Sequence, residues 1–324
     1  MKTRQAVLVE PRKMAVETTE VGLPEGFVLV KVERSYLCGS ELHYFRGRYP
    51  SYVTLPKKLG HEGGGTIVDV GPGVKGYKPG DRVIVYADVL ITPSGATPLF
   101  ADYSSAPVEC LQRIPDGIPT HIGALAEPLA CAVHAGYHTG TRLGDTVAVF
   151  GVGFAGQVIA QIARASGAKK VFIVDVDDTK LALAKKLGAD MAVNGLKKDP
   201  VKAIMDATNG AGVDIAVDSV GMTRIIDQAT AVLRKSGRLV LYGWITGRGE
   251  IDWNVWHVKA LEPVVTKIGG YPEKKPWAAR GFSLYESGQL SLDPLITAVY
   301  PVEQIQAAFD RYDTDPSQVK IGIE

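Results

Sequence analysis

A strand, a glycine-rich turn and a helix succeed one another between Thr146 and Ser166, and this run constrains the fold more than any other part of the chain. Thr146-Val147-Ala148-Val149-Phe150 is apolar and partly β-branched, and an apolar helical stretch over 155–166 follows it. Val171-Phe172-Ile173-Val174 is a second strand, with a helix expected over roughly 178–188. The alternation recurs: Val213-Asp214-Ile215-Ala216-Val217, a helix near 223–234, then Arg238-Leu239-Val240-Leu241-Tyr242. Parallel strands need a crossover between them, so this order predicts an α/β unit, a doubly wound parallel sheet covered by helices.

The turn after the first strand reads Gly151-Val152-Gly153-Phe154-Ala155-Gly156, a G-x-G-x-x-G between strand and helix. Gly151 permits the tight turn, Gly153 lets backbone approach a pyrophosphate, and Gly156 lets helix and strand pack closely. The helix N-terminus then meets the phosphates with free N–H groups and a favourable dipole. Asp175 ends the second strand, 24 residues after Gly151. An acid there accepts both ribose hydroxyls and repels a 2′-phosphate, which points to NAD over NADP. The competing reading is a methyltransferase-like sheet whose acid binds a different ribose. Asp177 and Asp178 add negative charge, although each is also placed to cap the helix beginning near Thr179.

Residues 1 to about 130 follow different rules. Val28–Val32, Gly65–Val70 and Arg82–Tyr86 are β-branched runs, punctuated by Gly71-Pro72-Gly73 and Lys78-Pro79-Gly80-Asp81. Short strands at that spacing suggest a small barrel or sandwich. The α/β unit closes near Gly269-Gly270, and the last 54 residues (a helix over 277–287, a strand near Ile296–Tyr300, a helix over 302–312) are too few for a domain of their own. We expect them to complete the first unit, giving domains of 1–135 with 271–324, and 136–270.

Composition excludes several classes. A net charge of +1 without a long basic run argues against nucleic-acid binding. No apolar stretch reaches the roughly 18–20 residues that span a bilayer. The N-terminus runs straight into Ala6-Val7-Leu8-Val9, so no secretory leader is expected. Three cysteines, few and odd in number, fit the reducing cytoplasm.

Cys38, His61, Glu62 and Glu127 are thiolate, imidazole and carboxylate, the ligand types of zinc. Each alone reads as readily as packing or as a satisfied polar group. Together with their surroundings they carry a resemblance. Gly60-His61-Glu62-(two residues)-Gly65-(five residues)-Gly71-(two residues)-Val74 is similar at every fixed position to the signature of zinc-containing medium-chain alcohol dehydrogenases, with Cys38 separated from His61 by 22 residues. Cys38-Gly39-Ser40-Glu41-Leu42-His43-Tyr44 and Glu127-Pro128-Leu129 resemble the sorbitol (iditol) or polyol dehydrogenase branch. The likeness covers essentially the whole chain.

That resemblance implies a GroES-like barrel domain beside the Rossmann unit, an NAD-linked oxidation of a secondary alcohol, and one catalytic zinc. It implies Cys38 and His61 as zinc ligands, with one of Glu62 and Glu127 in direct contact and the other close behind. It makes Ser40 the first proton acceptor and His43 a distal relay imidazole, with Glu127 competing for the role of base. A surface histidine is the alternative for His43, and packing is favoured for Cys131. Tyr44 and Tyr271 are candidate substrate contacts, and Arg46, Trp253 and Trp256 further candidates for the pocket wall.

The chain departs from many relatives at two places. Between Asp81 and Ser105 it has none of the four cysteines that bind a structural zinc, and Val89–Gly95 looks like a shortened loop. The stretch Gly269-Gly270-Tyr271-Pro272 keeps a tyrosine but lacks an arginine beside it. A polyol- or sugar-like substrate is therefore expected, with an amino alcohol of the threonine kind, a small diol or an aminocyclitol as alternatives. A zinc-free quinone-type reductase lacks the ligand residues, and a non-catalytic protein would have little use for them. A homodimer or homotetramer is expected.

Overall fold

A computed structural model describes residues 1–49, 53–87, 96–245 and 248–324. The stretch Val89–Gly95 lies outside the described residues. The chain forms two compact units: Met1–Ala130 with Gly269–Glu286 and Ile296–Glu324, and Cys131–Ile268 with Ser287–Leu295.

The first unit opens with an antiparallel hairpin, β1 (Lys2–Glu10) and β2 (Lys13–Glu20), joined through Arg12 at φ 64°. Strand β3 (Phe27–Tyr36) leads into the short helix α1 (Gly39–Phe45). Strands β4 (Lys57–Lys58), β5 (Glu62–Val70), β6 (Arg82–Val85), β7 (Tyr103–Pro107) and β8 (Leu111–Arg113) follow, then helices α2 (Thr120–Gly123) and α3 (Ala126–His138). Three glycines, Gly63 to Gly65, follow Glu62 at the start of β5, against their poor strand propensity. Packing overrides propensity here: a Cβ on Gly65 would lie 1.9 Å from the Lys31 carbonyl oxygen of β3.

The second unit is the alternating part. Its order is β9 (Thr146–Phe150), α4 (Phe154–Ala165), β10 (Lys170–Asp175), α5 (Asp178–Lys186), β11 (Met191–Asn194), α6 (Pro200–Ala207), β12 (Val213–Asp218), α7 (Thr223–Val232), β13 (Leu233–Leu241), α8 (Trp253–Lys259) and β14 (Glu262–Val265). The six strands pair in parallel in the order β11-β10-β9-β12-β13-β14. Side chains alternate between the faces, and both faces are buried. Val147 and Val149 pack with Ile159, Val171 and Ile173 on one side. Ala148 and Phe150 pack with Phe172, Ile204 and Leu239 on the other. Two buried faces explain why these strands are continuous apolar runs instead of alternating ones. Each of these valine, isoleucine, leucine and phenylalanine side chains contributes roughly 1.5–3 kcal/mol on burial.

The chain returns to the first unit with α9 (Tyr271–Glu286), β15 (Ile296–Tyr300), α10 (Ile305–Thr314) and β16 (Lys320–Ile323). Strand β16 pairs antiparallel with the end of β3, completing a mixed sheet in the order β15-β16-β3-β5-β6-β8, and β7 pairs with the first half of β3, Phe27–Lys31. This return brings the last strand against Tyr36 and Ser35, a few residues before Cys38.

Candidate metal centre and dinucleotide site

Three segments of the first unit meet around Cys38. Strand β3 ends and Cys38 becomes the N-cap of α1. Gly60 turns the chain at φ +109°, where a Cβ would lie 2.3 Å from the Phe100 amide nitrogen, and delivers His61 and Glu62 at the start of β5. The candidate ligand atoms of Cys38, His61 and Glu62 all lie within 4.8 Å of one another. Among the described residues this is the one such group.

Glu41 ties the segments together. It is fully buried on α1, and its Oε2 accepts from the Cys38 backbone N–H (3.1 Å). Its Oε1 accepts from the Gly60 N–H (2.7 Å) and lies 3.0 Å from His61 Nδ1. A carboxylate on one ring nitrogen fixes the tautomer and leaves Nε2 for a ligand. Two lysines arrive from the C-terminal segments. Lys320 of β16 donates to Glu62 Oε2 (2.6 Å) and to the Leu37 carbonyl (3.1 Å). Lys274 of α9 donates to Glu127 Oε1 (2.7 Å), in the first turn of α3.

Three carboxyl groups (Glu41, Glu62 and Glu127) meet the His61 imidazole and the ammonium groups of Lys274 and Lys320. Burying an uncompensated charge is costly, so protons move to relieve it. Burial would lower the His61 imidazole, but the charges of Glu41 and Cys38 outweigh it and lift it well above its ordinary value. Burial pushes the Glu62 carboxyl up, against the pull of Lys320 and His61. Burial also raises the Tyr312 hydroxyl, to about 12. Glu62 Oε1 is buried without a hydrogen-bond partner. An orphaned carboxylate oxygen and an S, N, O donor set fit a divalent ion of the zinc type.

The second unit carries the glycine turn. Gly151 sits at φ +87°, and a Cβ on Gly156 would lie 1.9 Å from the Gly151 carbonyl oxygen, so helix α4 packs directly on the end of β9. A Cβ on Gly153 would meet nothing within 4 Å. Gly153 is also the N-cap of α4, with no side-chain cap, which leaves the first-turn N–H groups facing that open space. Asp175 is held rigidly: its Oδ2 accepts from the Val152 N–H (2.7 Å), its Oδ1 from those of Val176 (2.8 Å) and Asp177 (3.1 Å). Asp177 caps α5 through the Lys180 N–H, and Asp178 pairs with Asn194 and Lys197. The cradle fits a dinucleotide pyrophosphate with a ribose at Asp175.

Residues 24–135 match the alcohol dehydrogenase GroES-like domain, and 155–279 match the zinc-binding dehydrogenase domain. An L-threonine 3-dehydrogenase of Pyrococcus abyssi is 32% identical over 97% of this chain and 92% of its own length. The chain belongs to the zinc-type medium-chain alcohol dehydrogenase family. A sorbitol dehydrogenase of Bacillus subtilis is 32% identical over 95% of the chain and 93% of its own length. The crystal structure of 2R,3R-butanediol dehydrogenase from Bacillus subtilis superposes with a TM-score of 0.86 at 28% identity, covering 99% of both chains. Membership makes the chain an oxidoreductase and implies zinc and a nicotinamide cofactor. Among the described residues no helix is long and apolar enough to cross a membrane.

Within this dehydrogenase the expected residues distribute unevenly. Cys38, His61 and Glu62 converge, whereas Glu127 stands outside that group on its lysine. Ser40 and His43 are half-buried, one turn apart on α1. Burial, with Arg46 and Arg48, lowers the His43 imidazole. Tyr44 is 3% exposed and packs in the core with Phe45, Leu59 and Phe309. Tyr271 starts α9 under the Lys275 ammonium, and Arg46 pairs with Asp313. Trp253 and Trp256 stack edge to face on α8 in the other unit. Sequence reasoning passed over Glu41, Lys274 and Lys320. The spacing of Glu41, three residues after an N-cap, is a capping-box signal that was available. The lysines gave none, since only tertiary folding brings Lys320 to Glu62.

Proposed function

We propose that this dehydrogenase transfers a hydride between NAD and a secondary alcohol, or the corresponding ketone, of a polyol- or sugar-like molecule. The observation that carries the proposal is the convergence of Cys38, His61 and Glu62, whose candidate ligand atoms lie within 4.8 Å of one another. Those three residues would hold a single zinc, with Glu127 close behind. Bound there, zinc supplies Lewis acidity that eases loss of the alcohol proton. NAD, held by Gly151, Gly153, Gly156 and Asp175, supplies the hydride acceptor.

The chain's own residues do the rest. Glu41 fixes the His61 ring, Lys320 orients Glu62, and Lys274 keeps Glu127 ionised, its carboxyl held below the usual value against the cost of burial. Ser40 takes the alcohol proton and His43 passes it on to solvent. A lowered imidazole is neutral at pH 7 and can accept it. The Asp175 carboxylate would repel a 2′-phosphate, which favours NAD over NADP. A single zinc follows from the supply of thiols: beyond Cys38 the chain has only Cys110 and Cys131. An oligomer built on the edge strand β14, where Val265 is 73% exposed, and a cytoplasmic location belong to the same proposal.

A second substrate class is favoured by one observation. The relative from Pyrococcus abyssi, an L-threonine 3-dehydrogenase, matches the chain as closely as the sorbitol dehydrogenase does. NAD reduction followed at 340 nm across sorbitol, other pentitols and hexitols, butanediol and L-threonine separates the two. Turnover of a polyol at the highest kcat/KM supports the proposal. Turnover confined to L-threonine replaces the polyol with an amino alcohol, and turnover only with NADP removes the role given to Asp175.

A further inference from the structure

Helix α3 carries metal-binding side chains that the catalytic cluster does not use. His134 and His138 are four residues apart on this helix of 13 residues, so they lie on one face, a turn apart. Both are half-buried. Their ring centroids are 4.4 Å apart and their planes inclined at 61°. The Tyr137 ring lies edge-on to His138 (5.3 Å between centroids), and Tyr137 is 61% exposed, so this end of the helix reaches solvent.

That separation suits chelation. An imidazole nitrogen sits about 2.0–2.1 Å from a zinc-like ion, which puts each ring centroid about 3.2 Å away. Two rings bound at roughly a right angle then have centroids about 4.5 Å apart. The pair already stands at that centroid spacing. Two histidines at i and i+4 on one helix face are also the chelating element of H-E-x-x-H metal sites.

We propose that His134 and His138 form a second, exchangeable binding site for a divalent transition metal ion, with water completing the coordination. Two neutral imidazoles select ions such as Cu²⁺, Ni²⁺ and Zn²⁺ over Mg²⁺ and Ca²⁺, with Cu²⁺ the tightest of the series. The site is independent of the catalytic proposal: it shares no residue with the Cys38 cluster and needs no turnover to be observed.

The test uses untagged full-length protein with its tightly bound metal in place, titrated with Ni²⁺ by calorimetry and with Cu²⁺ by electron paramagnetic resonance. One further equivalent of Ni²⁺ should bind, and the Cu²⁺ spectrum should show nitrogen hyperfine structure from two imidazoles. His134→Gln and His138→Gln should each weaken Ni²⁺ binding at least tenfold, while His121→Gln on α2 leaves it unchanged. His138 is the last residue of its helix, so its substitution tests the site even where His134→Gln disturbs packing. No additional equivalent in the unsubstituted protein, or binding that survives His138→Gln in a folded variant, overturns the proposal.

Discussion

At the residue scale, the proposed metal centre depends on groups that are not among its proposed ligands. Glu41 reaches the Cys38 amide, the Gly60 amide and the His61 ring with one carboxylate. Removing a partner that orients a ligating histidine lowers metal affinity or activity by about 10–100-fold. Glu41→Gln should do so while the protein stays folded, measured as zinc retained against a competing chelator. Lys320 faces the opposite problem, because it and Glu62 are buried together. Taking one partner from a buried pair costs about 3–5 kcal/mol, since the other charge is left unpaired. Lys320→Met should therefore lower the denaturant midpoint sharply, and Glu62→Gln added to it should restore part of the loss. Cys38, His61 and Glu62 were legible because their spacing and neighbours form a local pattern. Lys320 was not: it lies 258 residues from Glu62, and a lone lysine has no pattern to read.

At the element scale, the glycine turn and its flanking β9, α4 and β10 were legible because each is local and strongly patterned. Strand β11 and helix α6 went unread. Four residues of Met191–Asn194 offer too short a pattern, and the eight of Pro200–Ala207 cover little more than two turns. Strand β5 begins three residues before its apolar run, through glycines that suit it only because β3 and β6 press so close. The turn from α10 to β16 sets where Lys320 arrives. Asp315 holds it, accepting from the Ser317 amide (3.0 Å) and hydroxyl (2.6 Å) and from the Gln318 amide group (2.7 Å). The Ser317 hydroxyl first, then Gln318, draw the Asp315 carboxyl down to about 2 from its ordinary 3.8. A depressed carboxyl contributes stability above the unfolded value and loses it as pH falls through the folded one. Asp315→Asn should therefore remove a component of acid destabilisation between about pH 4 and pH 2, read from melting temperatures in that window.

At the scale of the whole molecule, the chain is two units built on different rules, and each carries one half of a dehydrogenase's requirements. The barrel-side unit gathers an S, N, O donor set with an orphaned carboxylate oxygen. The parallel-sheet unit supplies an open glycine cradle and a fixed acid. Fold class and family follow from features repeated along the chain, so both could be read early. Substrate choice rests on a few side chains without a repeat, and Tyr44 illustrates the difficulty: a tyrosine beside the motif turns inward to pack on Phe45 and Phe309. Centrally, we propose that Cys38, His61 and Glu62 hold one zinc. The most direct test is zinc content by elemental analysis after dialysis against a weak chelator, comparing the unsubstituted protein with Cys38→Ala. We predict about one zinc per chain in the first and almost none in the second. Two tightly held zinc ions per chain, or a Cys38→Ala protein that keeps its zinc, would contradict it.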